Sequence, residues 1–247
     1  VAGDKAGAMG RPLPGTNEVE LAAYDVLDDR LVIEDSGFVR RADPGMPGLL
    51  LSRASHRFDT NGTVLRGVFA PGDRWEVSGQ LFVRDVDNDL WLVSALDRVI
   101  RSADGPMFGP PVEHHLSQVA GVDQVAAYAV GRPGTQVMVA ALTLRPGASP
   151  DSLTATSLRM GLGEMPAFLR PHLIVVVDEI PLSGSYRPLT AALGARGLPE
   201  PDSPKSPGKV WFRDEVGRYR RYTSSAAAEL DWSQPTLRRP DQVSVAH

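Results

Sequence analysis

The longest apolar run in this chain is Leu173–Ile180, LIVVVDEI, and Asp178 and Glu179 interrupt it. A membrane-spanning helix needs about 20 apolar residues. This run therefore reads as a buried central strand, and no other run reaches spanning length. The chain's 21 prolines and 24 glycines act in the same direction: they predict many loops joining short elements, not long helices. A length of 247 residues fits one or two domains. The 42% hydrophobic content is ordinary for a globular core. A net charge of −4 argues against a nucleic-acid footprint, which needs a concentrated basic face. With no cysteine, disulfides, thiolate metal sites and a cysteine nucleophile are all excluded. The stretch VAGDKAGAMGRPLPG has neither an initiating Met nor the apolar core of a signal peptide.

The first third reads as short β-strands. EVELAAYDV (Glu18–Val26), RLVIED (Arg30–Asp35) and GLLLSRA (Gly48–Ala54) are bounded by turn residues, LDDR and DPGMPG among them. QLFVRD (Gln80–Asp85) and LWLVSA (Leu90–Ala95) flank VDND, a hairpin turn, and DRVIRS predicts a further strand. This pattern suits a small barrel or an antiparallel sheet. After Gly109 the spacing changes. Val112, Leu116 and Val119 lie at helical intervals between Pro and Gly. DQVAAYAV and TQVMVAALTL predict two strands, and a helix is expected over Asp151–Gly161. LIVVVDEI follows as a strand and RPLTAALGARG as a short helix. The order β, α, β, β, α, β, α predicts a compact α+β unit. Leu198–Gly208 reads as a Pro-rich linker to a tail hairpin, KVWFRDEVGRYRRYT, turning at Gly217.

Few motifs carry chemistry by themselves. His114 and His115 are adjacent, so on a helix they point in different directions and do not chelate one ion. GLGEMP follows no strand and ends in Pro166, unlike a nucleotide glycine loop. Gly184-Ser185 lacks the flanks of a nucleophile elbow. RYRRY reads as a solvated hairpin strand with tyrosine packed inward.

The order of landmarks says more. AGAMGRPLP, GVFAPGDRWEVSGQLFVRDVDNDLWLV (Gly67–Val93), ALDRVIRSADG, PPVEHHLSQVAGVDQVAAYAV, ALTLRPG, MPAFLRPHLIVVVDEIPLSGSYR and the tail YRRYT follow one another from Ala6 to Thr223. In that order they resemble the C-terminal part of adenylate-forming acyl-CoA synthetases, in the fatty acid transport protein and very-long-chain acyl-CoA synthetase branch. The resemblance implies an α+β fold in two parts. Residues 1–96 would be an incomplete β-barrel-like remnant of the large adenylation domain. Residues 97–247 would be a small mobile lid with the Pro-rich linker and tail hairpin. It implies a fatty acid–CoA ligase, joining acid to ATP as an acyl-adenylate before the lid rotates for attack by CoA. ATP, Mg2+ and CoA are the implied cofactors and co-substrates. Fatty acid and CoA are the implied partners, with a missing N-terminal half or a second copy to complete the molecule, no nucleic acid and no transmembrane segment. The implied location is the cytoplasm or the periphery of a membrane.

Three departures fall at decisive positions. The family's ribose-binding aspartate is replaced by Gln80, which accepts a hydrogen bond but carries no charge. Its nucleotide-contacting arginine is replaced by Ala95 in an ungapped alignment, with Asp97 at the inter-domain hinge. A slip of two or three residues would substitute Arg98 but misplace the match at Ile100-Arg101. The lysine of the adenylation step is replaced by Arg187, a planar fork in place of a compact ammonium. No Ser/Thr-Gly-rich phosphate loop is present, and the acyl pocket would lie upstream of Val1. Two readings follow: a synthetase portion inactive on its own, or a non-catalytic relative that binds acyl-CoA or a protein. If these residues are a whole protein, an apolar face is expected at GLLLSRA and GVFAPGDRW.

Overall fold

A computed structural model describes residues 5, 8–12, 16, 18–54, 63–163, 165–201, 209–234 and 236. It divides into two units, Val1–Val99 and Ile100–His247. Of the expected Pro-rich linker, 202–208 lie outside the described residues, as do 6, 7, 13 and 14 of AGAMGRPLP.

The first unit is a curled, antiparallel half-barrel. Its strands are β1 (Val19–Asp25), β2 (Arg30–Leu31), β3 (Gly48–Arg53), β4 (Val64–Arg66), β5 (Arg74–Arg84) and β6 (Leu90–Ala95). They run in the order β2-β1-β3-β5-β4, and β6 also pairs with β5. The long β5 organises the sheet. One edge pairs with β3, while the other is shared by β4 at 74–76 and β6 at 80–84. Gly79 lies between those two stretches with φ +70°, a conformation that glycine takes without a Cβ penalty. A register shift follows at Leu81/Phe82. Bulges of this kind bend a sheet and increase its twist.

The expected apolar face is not at GLLLSRA or GVFAPGDRW: Leu49, Leu51, Val68 and Trp75 are all buried. Each such side chain contributes roughly 1.5–3 kcal/mol by leaving water.

The second unit is an α+β sandwich. A hairpin of β7 (Ile100–Ser102) and β8 (Gly105–Met107) opens it. α1 (Gly109–Ser117), β9 (Val122–Val130), β10 (Val137–Leu144), α2 (Ala155–Gly161), β11 (Leu173–Val176), α3 (Thr190–Gly194), β12 (Val210–Arg213), β13 (Tyr219–Arg221) and α4 (Ser224–Glu229) follow. The sheet order is β13-β12-β11-β10-β9. Only β10 and β11 pair in parallel, so the chain between them must cross over, and α2 lies on that crossover.

Both faces of this sheet are covered, which explains the unbroken apolar runs. Met138, Ala140, Leu142, Ile174 and Trp211 pack with Val112 and Leu116 of α1 and Leu158 of α2. The alternate residues Val137, Val139, Ala141, Leu173, Val175 and Val210 pack with Leu193 of α3 and, less deeply, with Ala227 and Trp232. Gly194 lets α3 approach β9 closely: a Cβ there would lie 2.6 Å from the Ala129 carbonyl oxygen.

Several expectations shift in detail. DRVIRS divides into a 3-10 turn at Leu96–Arg98 and the short β7. The expected helix over Asp151–Gly161 divides too, because Thr154 caps α2 with a reciprocal bond to Ser157. LIVVVDEI is a strand only to Val176, and RLVIED only at Arg30–Leu31. β4, β8 and α4 carry too few residues to show periodicity. Among the described residues no helix is long and apolar enough to cross a membrane.

Candidate functional site

β5 and β6 bring two of the anticipated positions together. Gln80 and Ala95 are direct cross-strand partners, and such neighbours hold their Cβ atoms about 4.5–5.5 Å apart. Gln80 is exposed, and its N–H donates to Ser78 Oγ at 3.1 Å. Ala95 leads straight into the Leu96–Arg98 turn, with Asp97 exposed at its centre. The side chains at positions 80 and 95 carry no charge; the nearest charged groups after Ala95 are Asp97 and Arg98 in the turn.

The flanking motif carboxylates are committed to structure. Asp73 of GVFAPGD accepts the N–H groups of Val68 (2.6 Å), Phe69 (2.9 Å) and Ala70 (2.9 Å), and Trp75 Nε1–H at 2.8 Å. Burial alone would raise its pKa. The bonds from Trp75, Phe69, Val68 and Ala70 outweigh that and lower it. Asp85 accepts from Lys5 Nζ at 2.7 Å and Trp91 Nε1 at 3.0 Å. Those two bonds, Lys5's first, hold its carboxyl well below the ordinary range.

Arg187 belongs to the second unit. It closes a small loop in which Ser183 N–H donates to the Arg187 carbonyl (2.8 Å) and Arg187 N–H donates to Ser183 Oγ (3.1 Å). Leu182 and Pro188 bridge its base. Tyr186 has φ +58° and its side chain is 85% exposed, so no packing compensates this strained backbone. Arg187 is exposed at the loop's end, a cation presented to solvent on a closed turn.

Other sequence candidates resolve into structure. The His114 and His115 rings meet edge to face with centroids 5.8 Å apart, and His115 Nδ1 lies 2.8 Å from the Pro111 carbonyl oxygen. Among the described residues no group of three or more His, Asp or Glu forms a metal-ligand set. In RYRRY, Arg218 and Arg220 both donate Nε–H to Asp214, Tyr219 donates to the Pro171 carbonyl (2.8 Å), and Arg221 lies over Trp211.

A buried polar cluster in the second unit was not anticipated. Asp104, His172 and Arg213 are all at most 3% exposed at their side chains. Arg213 Nη1 donates to the carbonyls of Ala167 (2.8 Å) and Arg170 (2.7 Å). Its Nη2 donates to Asp104 and to Thr236 Oγ1. Thr236 donates its N–H (2.7 Å) and its hydroxyl (2.6 Å) to the two Asp104 oxygens. His172 Nδ1 accepts Met138 N–H at 2.9 Å, and its Nε2 lies 3.4 Å from Asp104. Burial holds the His172 pKa down against the pull of Asp104. Because Nδ1 accepts the Met138 N–H, it carries no proton, which places the ring's proton on Nε2, facing the carboxylate. For Asp104, burial acts to raise the pKa. The hydrogen bonds from His172 and Thr236 and the charge of Arg213 dominate and hold it well below the ordinary range. One signal in the sequence pointed here: in VWFR, strand alternation puts Arg213 in phase with the buried Trp211.

Comparison with known proteins agrees with the resemblance of the landmarks. Residues 111–187 match the family model described as AMP-binding enzyme C-terminal domain, a span from α1 to Arg187. That match, and the relatives that follow, bear out the resemblance to adenylate-forming acyl-CoA synthetases of the fatty acid transport protein branch. Long-chain fatty acid transport protein 5 of Mus musculus is 25% identical over 208 residues, covering 78% of this chain and 30% of that protein. The medium/long-chain-fatty-acid–CoA ligase FadD6 of Mycobacterium tuberculosis is 28% identical over 175 residues, 66% of this chain and 29% of the relative. The chain thus spans about three tenths of the length of the curated relatives it matches. Among solved structures, the amide bond synthetase McbA from Marinactinospora thermotolerans shares the fold at a TM-score of 0.57, with 23% identity over 78% of this chain and 37% of its own. The O-succinylbenzoate coenzyme A synthetase of Bacillus subtilis, solved with AMP, does so at 0.54, with 20% identity over 79% of this chain and 37% of its own.

Proposed function

We propose that these residues are the C-terminal portion of a fatty acyl-CoA synthetase. Residues 1–96 serve as the last part of its adenylation domain, and residues 97–247 as the lid that turns at Asp97. The carrying observation is the AMP-binding C-terminal match over residues 111–187, which ends on the Arg187 loop. In this reading Gln80 and Ala95 face the nucleotide and Arg187 takes the place of the adenylation lysine. Phosphate loop and acyl pocket belong to the remainder of the synthetase, so this polypeptide alone does not form acyl-adenylate. Incubation with ATP, Mg2+ and fatty acids of graded length is expected to release no pyrophosphate. Acid-dependent release above the no-acid control would refute that part of the proposal.

A second reading, a non-catalytic acyl-CoA- or protein-binding relative, draws on one observation: Gln80 and Ala95 remove two charges from one cross-strand pair. Arg187 weighs less, because lysine stands only at Lys5, Lys205 and Lys209 and arginine fills the other 23 of the 26 Lys and Arg positions. The two readings separate in a full-length parent. If the parent is inactive and Q80D with A95R restores adenylation, the site is a silenced one. If the wild-type parent already adenylates fatty acid, the synthetase reading holds. In the active parent Arg187→Ala is expected to lower the adenylation rate by about 100- to 1000-fold, the usual loss for one preorganised electrostatic contact. Calorimetry with CoA tests whether this chain retains thioester-side binding.

A further inference from the structure

We infer that the C-terminal segment is a strap whose lock holds the tip of the β7–β8 hairpin. The hairpin occupies 100–107, immediately after the first unit ends in sequence. Its base is docked independently. Arg101 N–H donates to Gln136 Oε1 at 2.7 Å, and the Arg101 carbonyl accepts the N–H groups of Gly134 and Gln136. Its tip is held differently. Asp104 sits in the turn between the two strands, and its carboxylate points into the second unit, where Arg213, His172 and Thr236 meet it.

Thr236 reaches that site through a segment with its own footing. Thr223 caps α4 by accepting Ala226 N–H at 3.3 Å. Ala227, Leu230 and Trp232 then pack into the apolar cluster formed by Ile180, Leu193 of α3 and Val210 of β12. The Trp232 ring stands edge to face on His172, with centroids 5.8 Å apart and planes at 89°. Four residues later Thr236 donates both its N–H and its hydroxyl to Asp104, while the hydroxyl accepts from Arg213. Two short apolar footholds and one polar lock make a segment that can come off without dismantling the sheet. Among the described residues, none of the paired strands of the second unit lies C-terminal to Arg221.

The consequence is a release device. While the strap is seated, the tip of the hairpin that begins the second unit is fixed. A partner that captures the C-terminal segment, or a cut before it, removes the two Thr236 bonds and loosens the tip, which then keeps only Arg213 and His172, without touching β9–β13. A carboxylate suits this lock because a β-turn tip has few contacts of its own. Charge-assisted bonds to a buried arginine are roughly twice as strong as neutral ones.

Hydrogen–deuterium exchange on the full 247-residue chain tests the inference. Thr236→Ala removes the hydroxyl and leaves the N–H. Thr236→Pro removes both donors, and each variant keeps the Asp104–Arg213 pair. Exchange at 102–107 is expected to quicken in that order, reaching roughly tenfold for Thr236→Pro, the factor that follows from losing a net 1.4 kcal/mol of hydrogen bonding. Exchange across β9, β10 and β11 should stay at the wild-type rate. Unchanged exchange at 102–107 in both variants overturns the strap. So does a uniform rise across the whole unit, which would make Thr236 a general stability residue. Trp232→Ala should reproduce the local effect from the other foothold.

Discussion

Asp73 and Asp104 are both buried carboxylates, one in each unit, and they are satisfied in opposite ways. Asp73 takes all four of its donors from residues two to five positions away, three of them backbone N–H groups. Asp104 takes its donors from His172, Arg213 and Thr236, all far along the chain, and Arg213 is fully buried. The first carboxylate shapes a loop. The second joins three separate parts of the chain. Loss of the first exposes unpaired donors. Loss of the second also strands a buried positive charge, and that difference sets the order of the expected effects.

The largest effect is therefore expected for Asp104→Asn. Removing one partner of a buried ion pair costs about 3–5 kcal/mol, because the remaining charge has no counter-ion. The double variant Asp104→Leu with Arg213→Met should recover only part of that loss: it removes the stranded charge but leaves the Thr236 donors, His172 and the Ala167 and Arg170 carbonyls without their partners. Urea unfolding midpoints followed by a probe in the second unit measure both. A single-variant cost below about 1 kcal/mol would mean that the pair is not holding the unit together. Asp73→Asn comes next. Its one carbonyl oxygen cannot serve four donors, and its amide would face an N–H. A cost of about 1–3 kcal/mol follows, the price of leaving a buried donor unmet. If it equalled or exceeded the Asp104→Asn cost, the contrast between local and long-range satisfaction would fail.

This contrast also explains what was legible in the sequence. Elements defined by neighbours in the chain could be read. Alternation gave the strands of both units, turn residues gave their ends, and LIVVVDEI gave a central strand. Short elements were missed, because three residues of β4 or β8 carry no period. The buried cluster was missed for a stronger reason. Nothing within ten residues of Asp104 signals Arg213 or Thr236, and only the alternation around Trp211 hinted that Arg213 faces inward. The candidate site shows the same limit on a smaller scale. A regular hairpin closed by Arg84 and Leu90 would set Gln80 against Ser94. The register shift at Leu81/Phe82 instead sets it against Ala95. A bulge adds one residue to one strand, and no residue type marks it uniquely.

His172 sharpens the comparison through pH. Its folded pKa is lowered, chiefly by burial, relative to an ordinary imidazole value of about 6.5. Below that value the unfolded chain takes up a proton that the folded ring resists. The stability that follows is fully present above about pH 6.5 and is lost progressively as the pH falls toward the lower folded value. Asp104 adds to the same trend only at more acid pH, because its folded pKa is also lowered. His172→Asn retains an acceptor for Met138 N–H and removes the titration. The midpoint of the second unit should then depend less on pH between 7 and 5 than in the wild type. Equal slopes in the two proteins would show that the ring is not the proton acceptor in this range.

The smallest effect is expected at Tyr186, where the anticipated catalytic loop meets neither kind of carboxylate. Its side chain is exposed and its φ is +58°. A left-handed conformation costs a residue with a Cβ roughly 1–2 kcal/mol. Tyr186→Gly removes that cost but gives the unfolded chain more freedom to lose, about 0.4–1 kcal/mol. The two terms nearly cancel, so the unfolding midpoint should move by less than about 1 kcal/mol, toward stability. The loop closure from Ser183 to Arg187 uses backbone groups and one hydroxyl, and none of them belongs to Tyr186's side chain. A large destabilisation would therefore show that the tyrosine ring is held by something outside the second unit. The Arg187 loop would then be a contact surface, not a free turn.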